Sequence, residues 1–251
     1  MDNNSYKVEV RDLCFQYENR PLLDHISLHA ARGEFVTLLG ASGCGKSTIL
    51  NLLAGILRPD SGDLFVDGQR IAGMSGHFSY MPQNDLLFSW KTILENVCLY
   101  GRIHGGIKQA REKAKSLFPA FGLEGYENAY PNELSGGMRQ RAAFLRTALC
   151  GADILLLDEP FGALDVISRG SMQDWLSSMK LSLNRTVLLV THDVDEAIYL
   201  SDRIYVLGGK PTGIVNETGI PEKNRTRGWL FDQVNMRKAL YASIRGEGPE
   251  I

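Results

Sequence analysis

The sequence predicts an α/β fold built around a buried parallel sheet. Three observations carry this. Ile154-Leu155-Leu156-Leu157 and Val187-Leu188-Leu189-Val190 are short, fully apolar runs with a helical stretch between them, the pattern of strands covered on both faces. A third run, Phe35-Val36-Thr37-Leu38-Leu39, leads through a glycine-rich loop into an apolar-periodic helix. The chain of 251 residues, 44 % hydrophobic and 22 % charged, has the size and composition to bury a large core and not to remain disordered.

Taken in order, Val8 and Val10, then Leu13, Phe15 and Tyr17, alternate as strands do. Glu18-Asn19-Arg20-Pro21 reads as a turn before a strand near Ile26-Ser27-Leu28, and Arg32-Gly33 as a turn before the run at Phe35. The helix after the glycine-rich loop is expected from Ser47 to Leu57, stopping before Pro59. Gly62 to Gly68 reads as a strand bracketed by glycines, and His77 to Met81 as one more. From Thr92 to Cys150 the pattern is mainly helical, broken at Gly105-Gly106, Gly122 and Pro131. After Thr218 a polar stretch gives way to Leu230, Val234, Tyr241 and Ile244 near one helical face, which predicts a tail packed on the domain or a partner.

A net charge of −2 supplies no basic field, which argues against a dedicated nucleic-acid binder. No apolar run approaches the ~20 residues that cross a bilayer, and Met1 to Lys7 carries no signal-peptide core. At a membrane the chain would therefore be held by a partner. Cys14, Cys44, Cys98 and Cys150 are scattered without metal-ligand spacing and read as reduced thiols.

Gly40-Ala41-Ser42-Gly43-Cys44-Gly45-Lys46-Ser47, followed by Thr48, is a full G-x-x-x-x-G-K-S phosphate loop in its required place between a strand and a helix. Glycines let backbone N–H groups curl around phosphate oxygens, and the helix start adds positive potential. Lys46 is placed to reach the β- and γ-phosphates, and Ser47 to ligate Mg²⁺. Asp158 and Glu159 end an apolar strand, at the edge of the sheet where phosphate sites lie. Asp158 suits a Mg²⁺ partner, and Glu159 a base or polariser for attacking water.

Leu134-Ser135-Gly136-Gly137-Met138 then decides the family. Here the chain resembles the ABC (ATP-binding cassette) ATPases, whose signature is LSGGQ; Met138 departs from the commonest glutamine. Ser135, Gly136 and Gly137 form a second anion cradle at a helix start. The other marks stand in family order. Tyr17 resembles the aromatic that stacks on adenine, with a core tyrosine as the plainer alternative. Gln83 resembles the glutamine that senses Mg²⁺ and attacking water. Ala163-Leu164-Asp165 is similar to the loop that contacts a partner subunit, and His192 to the switch histidine at the γ-phosphate.

The resemblance implies a P-loop NTPase (RecA-like) α/β core with an antiparallel β-subdomain and a helical subdomain insertion. It places core and β-subdomain in 1–85 and 151–215, the helical subdomain in 86–150 and a tail in 216–251. It implies ATP and Mg²⁺ as cofactors, and a second copy of the chain facing the first, with ATP sandwiched between Lys46 of one and Ser135-Gly136-Gly137 of the other.

Asp85-Leu86-Leu87-Phe88-Ser89-Trp90-Lys91-Thr92 and Pro160-Phe161-Gly162-Ala163-Leu164-Asp165 resemble the nitrate, sulfonate and taurine importers, including pyrimidine-precursor transporters. Leu86 to Trp90 would dock an integral-membrane permease, served by a solute-binding protein, with this chain peripheral on the cytoplasmic face. An ATPase of another transporter class, or a soluble one such as an iron–sulfur assembly factor, stays open. The solute is recognised elsewhere and is not written in this chain.

Overall fold

The computed structural model describes residues 6–246; residues 1–5 of the segment read as lacking a signal peptide lie outside it, as do 247–251. Alternating Val8, Val10, Leu13 and Phe15 are buried and pull β1 (Val8–Tyr17) onto the core. The turn into β2 (Arg20–Ala30) is tighter than its composition suggests. Glu18 and Asn19 alone make it, at φ 46° and 64°, the left-handed pair of a two-residue hairpin. Arg20 and Pro21 already lie in β2, where an edge strand tolerates the missing N–H of proline.

β3 (Phe35–Gly40) is buried along its whole length and feeds α1 (Lys46–Leu53). The apolar period runs on to Leu57, but the helix stops short of it. Gly55 turns at φ 74°, and a Cβ there would lie 2.3 Å from the backbone of Gly73, so close chain packing ends the helix. β4 (Ser61–Val66) continues through a left-handed Asp67-Gly68 turn into β5 (Gln69–Ile71), a strand too short to show in the sequence pattern. β2, β1, β4 and β5 lie in that order in an antiparallel sheet, as the family resemblance implies.

β6 (Phe78–Met81) returns to the core sheet. The helical region comprises α2 (Ile93–Val97), α3 (Leu99–Ile103), α4 (Ile107–Leu117) and α5 (Gly136–Ala148). Phe121, Phe144 and Trp175 tie it to α6 (Val166–Leu183), with Trp175 edge-on to both rings at 4.9 and 5.5 Å. β7 (Ile154–Asp158), β8 (Thr186–Thr191), α7 (Val194–Leu200), β9 (Arg203–Gly208) and β10 (Gly213–Gly219) complete the core.

The larger sheet has the order β10-β9-β3-β8-β7-β6, parallel except for β10. Strand alternation sorts its side chains. Leu155, Leu157, Val187 and Leu189 face a core shared with the helices, while Leu156, Leu188 and Val190 face α1 and the smaller sheet. β9 and β10 come after the last strand read from sequence, and β10 runs across position 216, where the tail is expected to begin.

α8 (Arg227–Phe231) and α9 (Val234–Arg245) pack back on the domain. Leu230 and Ile244 of the predicted face do pack, but Val234 and Tyr241 are about half exposed. Leu240 takes the inward position instead, its burial worth roughly 1.5–3 kcal/mol. Two short helices separated at Asp232 and Gln233 break the single period expected of the tail.

Candidate active site

Topology gathers the site. β3, β8, β7 and β6 run parallel and adjacent, so the segments leaving their carboxyl ends meet at one edge of the sheet. That edge carries the phosphate loop after β3, His192 after β8, Asp158 and Glu159 at the end of β7, and Gln83 after β6.

The loop turns at Gly43 (φ 80°) and Gly45 (φ 98°). A Cβ at Gly45 would sit 2.8 Å from Leu23 Cδ2, so the second of these turns has no room for a side chain. Gly45 caps α1 without a side-chain acceptor, which leaves the first N–H groups of the helix to an anion. Lys46 is buried and donates from Nζ to the carbonyls of Gly40 (3.0 Å) and Ala41 (2.9 Å), with Glu159 Oε1 at 3.8 Å. Burial pushes the Cys44 thiol above its ordinary value, against the opposing pull of the Lys46 charge.

Asp158 accepts from the Ser47 hydroxyl on Oδ1 and from the Tyr80 hydroxyl on Oδ2, both at 2.9 Å. Burial nonetheless leaves its carboxyl raised, and burial together with the Asp158 charge raises the Tyr80 phenol. The pairing of a hydroxyl with a carboxylate beside a phosphate loop is a hard-oxygen donor set, which fits Mg²⁺. Glu159 has a left-handed backbone (φ 43°) held by its N–H on Val190 O, a conformation that costs a non-glycine residue roughly 1–3 kcal/mol. Its carboxylate accepts from Gln83 Nε2 at 3.2 Å and lies 3.3 Å from His192 Nδ1.

One open cleft of about 520 Å³ is lined by Tyr17, Leu22, Ser42, Gly43, Gly45, Lys46, Ser47, Thr48, Gln83 and Glu159. Tyr17 is no core residue. It is 47 % exposed, packs T-shaped against buried Phe15 and lines the cleft. Asp158 and His192 adjoin the cleft through Ser47 and Glu159.

Ser135, Gly136 and Gly137 do not line the cleft. Ser135 caps α5, accepting from Met138 N at 3.3 Å, and a Cβ on Gly136 would meet Leu164 at 3.4 Å. The signature segment thus lies against the loop that precedes α6. Tyr80 is the site residue that sequence reasoning misses: alternation puts it on a face, but only the β6–β7 pairing brings it to Asp158.

Leu86 and Trp90 are exposed, at 59 % and 70 %, while Leu87 is partly buried and packs against the main core. Arg146 holds this segment by donating to the carbonyls of Leu86 (2.7 Å) and Asp85 (2.6 Å), and Asn96 clamps Phe88.

Residues 23–162 match the family model described as ABC transporter. The formylaminopyrimidine import ATP-binding protein ThiZ of Halalkalibacterium halodurans is 44 % identical over 237 residues, 93 % of each chain. The nitrate import ATP-binding protein NrtD of Synechocystis sp. is 41 % identical over 212 residues, 81 % of this chain and 80 % of that one. Among solved structures, a dimeric ATP-binding cassette in a post-hydrolysis state, bound to ADP and Pi, superposes with a TM-score of 0.72 at 27 % identity, covering 86 % of this chain and 99 % of that one.

Proposed function

The chain belongs to the ABC transporter family and is an ATP-binding, ATP-hydrolysing importer subunit, and on that premise we propose how its own residues do the work. The observation that carries the reading is the single cleft joining Tyr17, the phosphate loop, Gln83 and Glu159 at one sheet edge. Tyr17 stacks on adenine, and the backbone N–H groups of residues 41 to 48 receive the phosphates.

Lys46, now turned to the carbonyls of Gly40 and Ala41, exchanges them for the β- and γ-phosphates. Ser47 and Asp158, with Gln83 nearby, would hold Mg²⁺, which would supply positive charge at the phosphate oxygens. Glu159 orients and deprotonates the attacking water, steadied by Gln83 and His192. Positioning and charge stabilisation supply the rate, as phosphoryl transfer demands.

Because Ser135, Gly136 and Gly137 stand apart from the cleft, we assign them to nucleotide held by a second copy. Closure around ATP and release after hydrolysis then drive transport. Among the described residues no helix is long and apolar enough to cross a membrane. A membrane permease seated on Leu86 and Trp90 holds the chain at the cytoplasmic face and takes its solute from a binding protein. The solute class is that of small molecules such as nitrate, sulfonates or pyrimidine precursors. Lys46→Ala tests the site: turnover should fall at least about 10²-fold, and retention of more than about a tenth would count against the assignment.

A further inference from the structure

Beside the cleft lies a buried polar relay that the mechanism above does not use. Glu196, on α7, is 4 % exposed. Its Oε2 accepts from the Thr191 hydroxyl at 2.5 Å, and that hydroxyl accepts from the backbone N–H of Asp193 at 3.0 Å. Asp193 in turn caps α7, accepting from the N–H groups of Asp195 (2.8 Å) and Glu196 (3.1 Å). Both neighbours of His192 are thus tied to one carboxylate.

The other oxygen of Glu196 leads to the C-terminal segment. It accepts from Gln173 Nε2 at 3.0 Å, and Gln173 Oε1 accepts from Arg227 at 3.0 Å. Arg227 opens α8, and it also donates to Gly170 O and Asp174, both at 2.8 Å. Arg169 completes the surroundings. It lies 4.0 Å from Glu196 and 3.8 Å from Asp193, with its buried Nε lacking a hydrogen-bond partner.

We propose that Glu196 is a positioning residue for His192, and that Arg227 extends this hold to the C-terminal helices, so that the segment sets the hydrolysis rate through the switch histidine. The proposal rests on the assignment of His192 to the nucleotide site. Two hydrogen bonds fix the residues on either side of His192, and the 3.3 Å contact with Glu159 depends on where that short connection sits.

In the ionised form both Glu196 oxygens accept, from Gln173 and from Thr191. Burial opposes that form and pushes the carboxyl up to about 7, with Asp193 raising it and Thr191, Arg169 and Gln173 lowering it. Protonation of Oε2 makes it a donor and reverses the bond to Thr191, so the charge-assisted hold present above about pH 7 weakens below it. Stability runs the other way. A carboxyl raised in the fold contributes stability below its unfolded value that is lost as pH rises through the folded value.

The test measures kcat and KM for Mg-ATP from pH 6 to 8.5, with melting temperatures, for the full chain and for Glu196→Gln, Arg227→Gln and His192→Ala. Glu196→Gln should lower kcat at pH 8 about tenfold, leave KM unchanged, flatten the rise of kcat through pH 7 and melt no lower than wild type at pH 8. Arg227→Gln should lower kcat severalfold in the same direction, again at constant KM. Wild-type kcat and pH profile in both variants, with His192→Ala inactive, would overturn the relay. A loss in Glu196→Gln accompanied by a lower melting temperature would reduce Glu196 to a structural role. An active His192→Ala would remove the premise instead, so the two failures are distinguishable.

Discussion

Ser47 and Asp158, 111 positions apart in the chain, meet at 2.9 Å between hydroxyl and carboxylate, where the first turn of α1 faces the end of β7. The contact joins the phosphate-binding half of the site to its acidic half, and it sets a buried charge against stability. Asp158 is 4 % exposed and its carboxyl is raised, burial outweighing the hydrogen bonds from Ser47 and Tyr80. A carboxyl raised in this way stabilises the fold below its unfolded value and loses that contribution as pH rises through the folded value.

Asp158→Asn should therefore melt above wild type at pH 7.5, with the gap closing as the pH falls into the acid range. Its Mg²⁺-dependent turnover should drop at least about 10²-fold. Thermal melts across pH, paired with turnover, check both halves. A variant that melts lower at neutral pH while keeping its activity would contradict the account of Asp158.

Cys44 stands inside the loop between Gly43 and Gly45, half-buried, its thiol pushed up by burial. The positive potential of the helix start does not prevail there. At pH 7 a maleimide should react slowly, its rate rising with pH; it should abolish ATP binding once attached, and Mg-ATP should protect the thiol. Peptide mapping by mass spectrometry reads the site directly. Equal labelling with and without nucleotide would remove Cys44 from the phosphate cradle.

Trp90 is 70 % exposed and meets the Phe88 ring at 5.0 Å. Trp90→Ala should change the stability of the isolated chain by no more than about 0.5 kcal/mol, the range of a surface substitution. Assembly with the membrane subunits should weaken by roughly 2 kcal/mol, as removal of an interface aromatic does. Co-purification against a melt of the isolated chain separates these. An unfolded isolated variant would make Trp90 structural.

The phosphate loop, the apolar strand ending in Asp158 and Glu159, and the buried runs at Phe35 and Val187 are legible in the sequence because each is a local signal: glycine spacing, a strand-end acid, a short apolar run. Contacts made by tertiary pairing are not. Tyr80 reaches Asp158 only because β6 lies beside β7, and Glu196 gathers Thr191, Gln173 and Arg169 from separate elements. β5 is three residues long and shows no period. Gly55 ends α1 because Gly73 crosses beside it, which no property of the helix sequence reveals.

The central claim is that Lys46 of one copy and Ser135-Gly136-Gly137 of another enclose the same ATP, since the signature segment lies outside the cleft of its own chain. Glu159→Gln keeps the shape of the side chain but cannot take a proton from water, so bound ATP should persist. Size-exclusion chromatography with light scattering should show that variant as a dimer with Mg-ATP and a monomer without nucleotide. Adding Ser135→Arg should abolish the dimer while the intact phosphate loop still binds ATP. A Glu159→Gln dimer that survives Ser135→Arg would contradict the shared site.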